Sequence, residues 1–169
     1  MALIIEDGTG IANANAMSSA ADCVTFATEY YGSSLTGSDA ERDATILRVI
    51  NYMMSLPWYG DLTYGNTQLT PYPRTGVAGY AATDMPWQVI KAQHIFARAE
   101  HKAVGTLAPS GKVADQRKKV KVDVIEVEYV DTDASIDAQR TTVTDAMDLL
   151  APFLIGGASG ATAFAGGWY

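Results

Sequence analysis

Two histidines, His94 and His101, stand seven residues apart in a stretch that reads as helix. Imidazoles ligate metals and shuttle protons. Seven residues span two helical turns, roughly 10 Å along the axis. The pair therefore shares a face, but both rings cannot hold one ion, and a surface or interface role is expected. Asp131 and Asp133 are candidate oxygen ligands. A calcium loop would carry further oxygen ligands and a later bidentate Glu at fixed spacing, so metal binding is not expected. The single cysteine, Cys23, lies among apolar neighbours in a predicted helix and reads as a buried, inert thiol. The chain holds no G-x-S-x-G, phosphate loop, dinucleotide fingerprint or H-E-x-x-H. "GGASG" near the C-terminus matches a phosphate cradle only in glycine content. No catalytic residue, metal or cofactor is assigned, and the chain is read as a non-enzyme.

Binding chemistry is the alternative, and "RKKVKVDVIEVEYVD" at 117–131 is the first place to look. Four of the chain's twelve basic residues fall in its first five positions: Arg117, Lys118, Lys119 and Lys121. Val120, Val122 and Val124 alternate with charges, and so do Ile125, Val127 and Tyr129, but the parity flips between 124 and 125. One extra residue turns every later side chain to the other face. The flip predicts a bulge or a tight hairpin near Asp123. In a hairpin, Lys119 and Lys121 face Glu126 and Glu128 across the strands. That charge-paired reading leads; contact with an acidic partner or with nucleic acid is the alternative. The second candidate is the aromatic set Trp58, Tyr59, Tyr64, Tyr72 and Tyr80. Stacking on single-stranded bases needs cations beside the rings. Arg74 is the only Lys or Arg between Arg48 and Lys91, so these rings are expected to pack the loop onto the body or fill a protein interface.

The elements that must position these groups follow from capping and periodicity. A short strand is expected over 2–5, then a loop. Ser18 or Ser19 caps a helix to about Tyr31, stopped by Gly32, with Ala21, Val24, Thr25 and Thr28 on one face. "SDAE" at 38–41 is a capping box. It starts a helix to about Leu56, with Ala40, Ala44, Leu47, Ile50 and Met54 inward and Ile46, Val49 and Met53 widening that face. Residues 57–84 read as irregular and functional. "YPRTGV" is their most organised part, where Pro73 fixes the backbone before Arg74 and Gly76 permits a positive φ. Thr83 or Asp84 opens a helix to about Val104, with Pro86 in its first turn. Val89, Ala92, Phe96, Ala99 and Ala103 form its packing stripe, and Lys91, Arg98, Lys102 and Glu100 lie on another face. A last helix covers roughly 138–150, with Val143, Ala146 or Met147, and Leu150 inward, closing at Pro152.

The whole chain has 169 residues, 48% hydrophobic and 18% charged, enough for one domain with a core. Its net charge of −7 denies it a bulk attraction to phosphate. One cysteine excludes an internal disulfide framework and fits a reduced compartment. "MALIIEDGTG" lacks the basic start of a signal peptide. Residues 149–169 carry no charge but include Pro152 and five glycines, so a tail is expected there rather than a membrane span.

Five segments recur in a familiar order: "MALIIEDGTGIANAN", "YPRTGV", "MPWQVIKAQ", "IEVEY" and "LLAPFL". Over residues 1–155 the chain resembles a family of small proteins from tailed phages and prophages. Its members are often labelled DnaT-like single-stranded-DNA-binding proteins and look like head–tail connector adaptors, or head-completion proteins. "AMSSA" at 16–20 and the "MMSLPWYG" region depart from the family pattern, and residues 156–169 look like an added Gly/Ala-rich tail. The resemblance implies one mainly α domain, a bundle of about four helices with a small β-hairpin and extended arms. It also implies a virion protein of the phage neck, made in the bacterial cytoplasm: a ring of subunits, twelve by analogy, joining the portal protein to the next neck or tail component. Packaged DNA would pass through without sequence-specific binding. From the residues themselves, and not from the resemblance, the interface is expected at Arg117, Lys118, Lys119, Lys121, Glu126 and Glu128 and at the terminal rings Trp168 and Tyr169, with Pro73, Arg74 and Gly76 as a structural loop. The alternative is a single-stranded-DNA-binding replication accessory, which needs the basic cluster at 112–121 and the aromatic loop on one surface.

Overall fold

A computed structural model describes residues 2–108, 119–122, 125–128 and 143–156. Four helices dominate them: α1 (Ala20–Tyr31), α2 (Asp39–Met54), α3 (Trp87–Lys102) and α4 (Thr144–Leu150). Two two-stranded antiparallel sheets accompany them: β1 (Asp61–Leu62) with β2 (Arg74–Thr75), and β3 (Lys119–Val122) with β4 (Ile125–Glu128). The mainly α architecture with a small hairpin is the one expected. None of the described helices is long and apolar enough to cross a membrane.

The helix starts are chemical. At α1 the Ser19 hydroxyl accepts from the Asp22 amide, and the Asp22 carboxylate accepts from the Ser19 amide. Ser38 and Glu41 repeat the arrangement at α2. Each satisfies two amides that a helix N-terminus otherwise leaves bare. Gly32 ends α1 in the left-handed region, at φ 63°, where a side chain would be strained. The third helix begins later than its sequence suggests. Asp84 turns its carboxylate back to the Ala81 amide, 2.7 Å away, and closes the 81–84 turn. The helix then starts at Trp87, behind Pro86.

α3 is the central element, packed against α1, α2 and α4. Its Val89, Ala92, Ile95, Phe96 and Ala97 are buried. They meet Ile46, Val49, Ile50 and Met53 of α2, Cys23 and Ala27 of α1, and Ala146 and Leu150 of α4 in one core. Three expected faces need correction. On α1 the inward residues are Cys23 and Ala27, while Ala21, Thr25 and Thr28 face solvent. The Thr25 and Thr28 hydroxyls donate to the Ala21 and Val24 carbonyls, which suits an exposed face. On α2 Ile50 of the expected face and the widening set Ile46, Val49 and Met53 are buried, Ala44 and Leu47 are half-buried, and Ala40 and Met54 are exposed. On α3 Ala103 is exposed, and Glu100, expected on the charged face, is 1% exposed.

The irregular 57–84 segment is fastened at both levels. Trp58 and Tyr72 are buried, edge to face at 5.4 Å, and Tyr72 meets Phe153 likewise at 5.9 Å. This matches the expectation that the loop rings pack onto the body, although Tyr59 and Tyr64 stay exposed. Arg74 donates to the carbonyls of Tyr59 (2.9 Å), Gly60 (2.6 Å) and Pro71 (3.4 Å). Gly76 adopts φ 77°, and the Tyr72–Pro73 bond is cis. "YPRTGV" thus clasps the segment, and the positive φ expected at Gly76 is present. At the N-terminus an isolated parallel bridge, Ile5 to Ala16, replaces the expected strand.

Candidate nucleic-acid interface

The hairpin comes first, because its charges raised the question. β3 and β4 pair in a register that sets Lys119 opposite Glu128, Val120 opposite Val127, Lys121 opposite Glu126 and Val122 opposite Ile125. The parity flip is therefore a hairpin, not a bulge, and the backbone places each lysine across from a glutamate. Opposite charges at facing positions favour each other. Arg117, Lys118, Trp168, Tyr169, Asp131 and Asp133 lie outside the described residues.

The structure assembles a second surface, from α1 and α3, that sequence reading left in separate pieces. Trp87, Lys91, His94, Arg98 and Lys102 recur at spacings of four, three, four and four along α3. Such spacing draws one stripe along a helix. The α1–α3 packing brings Phe26, Tyr30 and Tyr31 against it. Phe26 and Tyr30 stack at 4.9 Å, with 20° between planes. The Lys91 ammonium donates to the Tyr30 hydroxyl at 2.8 Å and lies 4.2 Å from the Tyr30 ring centre. It is 5.9 Å from the ring centres of both Phe26 and Trp87. The Arg98 guanidinium lies 3.9 Å from the ring centre of Tyr31. Cations held over aromatic faces are attracted by the ring quadrupole.

Exposure distinguishes this cluster from core packing. Tyr30 and Trp87 are each 62% exposed. Large rings held at the surface by neighbouring cations leave π-surface for a further flat group. Among the described residues the ion pairs are Arg42 with Asp39 and Arg48 with Glu100. Lys91, Arg98 and Lys102 take part in neither.

His94 anchors the middle of the stripe. Its Nε2 lies 2.8 Å from the Ser18 hydroxyl, and its ring is 5.2 Å from Phe26. Burial pulls its pKa below the ordinary histidine value, against an opposing pull from Asp22, so the neutral ring is favoured. In the core of α1, burial pushes the Cys23 thiol up to about 12, as an inert core cysteine requires. The described residues contain no cluster of three or more His, Cys, Asp or Glu able to hold a metal.

At the C-terminal end of α3 the stripe runs into a pocket of about 550 Å³. Arg98, His101 and Lys102 line it from α3, Tyr31 from the end of α1, and Ser33, Ser34, Leu35 and Thr36 from the α1–α2 connection. None of the lining residues is acidic. The signal was present in the sequence as the four-three-four stripe on α3. What periodicity could not supply was the α1 rings as its neighbours.

Residues 1–166 match the family described as "Putative DnaT-like ssDNA binding protein", and the chain belongs to that family. Neither curated proteins nor solved structures gave a match.

Proposed function

We propose that this protein binds single-stranded DNA through the α1–α3 face. The observation that carries the reading is the pair of exposed rings, Tyr30 and Trp87, with Lys91 between them on a stripe that continues to Arg98 and Lys102. Stacking platforms for single strands combine π-faces with cations that follow the backbone. The family description points the same way. The net charge of −7 means that attraction must come from this face and not from the whole surface, so binding should weaken steeply with salt. The test is fluorescence anisotropy with a labelled oligo-dT. Trp87→Ala should weaken binding roughly ten- to a hundredfold, since stacking is worth about 1–3 kcal/mol per base. Tyr59→Ala, an exposed ring in the 57–84 segment, should leave binding unchanged. A parent chain that ignores the oligonucleotide at low salt, or a Trp87→Ala chain that binds like the parent, overturns the reading.

A second reading is the phage neck adaptor, a subunit of a ring beneath the portal. Its support is the acidic balance, which suits a wall that DNA slides past, and an apolar rim elsewhere on the surface. Ile11 (38% exposed), Tyr64 (37%) and Leu69 (50%) border a cleft of about 390 Å³, the kind of surface that partner chains cover. Quantitative mass spectrometry of purified virus particles separates the two. Copy number equal to the portal protein supports the adaptor. Absence from particles, with abundance in the infected-cell lysate, removes it.

A further inference from the structure

We infer that the pocket at the C-terminal end of α3 is the phosphate subsite of this face, holding one or two backbone phosphodiesters of a strand whose bases stack near Trp87. The inference rests on the single-stranded-DNA reading above and adds where the backbone goes and in which direction along α3 the strand lies.

The donors are of one kind. The Arg98 guanidinium carbon lies 3.9 Å from the Tyr31 ring centre, and Arg98 belongs to neither ion pair among the described residues, which leaves its N–H groups for charge-assisted bonds. Such groups suit phosphate oxygens. Lys102 is exposed and His101 half-exposed on the same wall, and the opposite wall carries the exposed Ser33, Ser34 and Thr36. Guanidinium, ammonium and hydroxyl groups all donate to an anion, and the absence of any lining carboxylate argues against a cationic occupant.

Basic side chains in a last helical turn also complement the helix dipole, and that accounts for Lys102 and His101 in part. It does not account for Arg98, a full turn earlier and turned onto Tyr31, nor for the hydroxyl wall. That wall is also fixed in place. Leu35 is 1% exposed, and its carbonyl accepts from Arg42 Nε at 3.0 Å. Gly32 sets the chain direction into it. A preformed set of donors spares the ordering cost that mobile lysines would bear.

Length sets the footprint. Trp87 and Arg98 are eleven residues apart, roughly 16 Å of helix axis. At the stacked spacing of about 3.4 Å per nucleotide, that separation takes no more than about five nucleotides, fewer if the strand is extended.

The test is the salt dependence of dT10 binding, measured on the full chain. Each neutralised phosphate contributes a slope of about −0.7 in log K against log salt for single strands. The double variant R98Q/K102Q should flatten the slope by about 0.7 to 1.4 and weaken binding at low salt. Arg98→Lys alone should keep most of the slope. Ser34→Glu, which places a carboxylate on the exposed opposite wall, should weaken binding without altering the helix. Circular dichroism melts establish that each variant is folded. If the parent binds dT10 but R98Q/K102Q keeps the parent slope, or Ser34→Glu keeps the parent affinity, the subsite is elsewhere and the single-strand reading, carried by Trp87 and Lys91, survives. If the parent itself does not bind dT10, the reading fails and the subsite fails with it.

Discussion

Glu100→Ala is expected to lower the unfolding free energy by about 3 kcal/mol, among the larger losses from a single side chain here. Glu100 is 1% exposed, in the last turn of α3, where it meets Arg48 of α2. One carboxylate oxygen accepts from Arg48 Nε at 2.8 Å and from the Gly105 amide at 2.8 Å. The other accepts from the Leu107 amide at 3.2 Å. Arg48 also donates to the Thr45 hydroxyl at 3.1 Å, so the cluster ties α2 to the end of α3. The Arg48 side chain is 40% exposed. Its Coulomb attraction is therefore screened, and that part of the loss is modest. The larger part comes from the two amides, because a buried donor left without an acceptor costs about 1–3 kcal/mol. The ranking follows. Arg48→Ala should cost less, about 1–2 kcal/mol, since Glu100 keeps both amides. Glu100→Gln should fall between, because its carbonyl oxygen serves only one side of the cluster. Urea denaturation measures all three. Glu100→Ala within about 0.5 kcal/mol of the parent, the usual range of a surface substitution, would remove the carboxylate from the list of structural anchors.

Glu100 also shows where sequence reading stops. Its position is periodic with the core of α3: Val89, Ala92, Gln93 and Phe96 precede it at helical spacings. Periodicity alone would have turned it inward. Its residue type argued the other way, because carboxylates are rarely buried without partners, and two of its partners are backbone amides beyond the helix end. Such partners cannot be read from a pattern. The start and end of α1 and the start of α2 were legible, because Ser19, Gly32 and Ser38 act through neighbours within a few residues. The hairpin was legible for the same reason, its parity flip fixing Val122 opposite Ile125. The face of α1 was not. Apolar residues at 23, 24, 26, 27, 30 and 31 offer two stripes to a twelve-residue helix. The choice was made by α3, which accepts the small Cys23 and Ala27 and leaves Tyr30 outside. The candidate site was half visible in the same sense. Lys91, Arg98 and Lys102 were readable as one face of a helix. That Tyr30 and Tyr31 stand over them is a tertiary fact.

The contact that sets this tertiary fact is Gln93, and Gln93→Leu should damage both stability and binding. Gln93 is fully buried. Its carbonyl oxygen accepts from the Met17 amide at 3.0 Å, and its amide nitrogen donates to the Ser18 carbonyl at 3.2 Å. Both partners are buried, immediately before the Ser19 cap of α1. Leucine has nearly the same volume, so the core is not emptied. The substitution instead strands one buried donor and one buried acceptor, at a cost of about 2–4 kcal/mol. The second consequence is geometric. With these bonds gone, α1 loses the fastening that fixes its start against α3, and the Phe26–Tyr30 stack loses its register over Lys91. Oligo-dT affinity should fall under conditions where circular dichroism still reports a folded chain, although no residue of the α1–α3 surface has changed. Hydrogen exchange resolves the order of events: the Met17 amide should lose its protection first, ahead of the amides of α2. Ile46→Val, a buried change on α2, is the control, and should cost about 0.5–1.5 kcal/mol while leaving affinity unchanged. If Gln93→Leu loses stability but binds oligo-dT as the parent does, the register of α1 on α3 does not govern the site, and stacking on Trp87 alone would have to supply the binding.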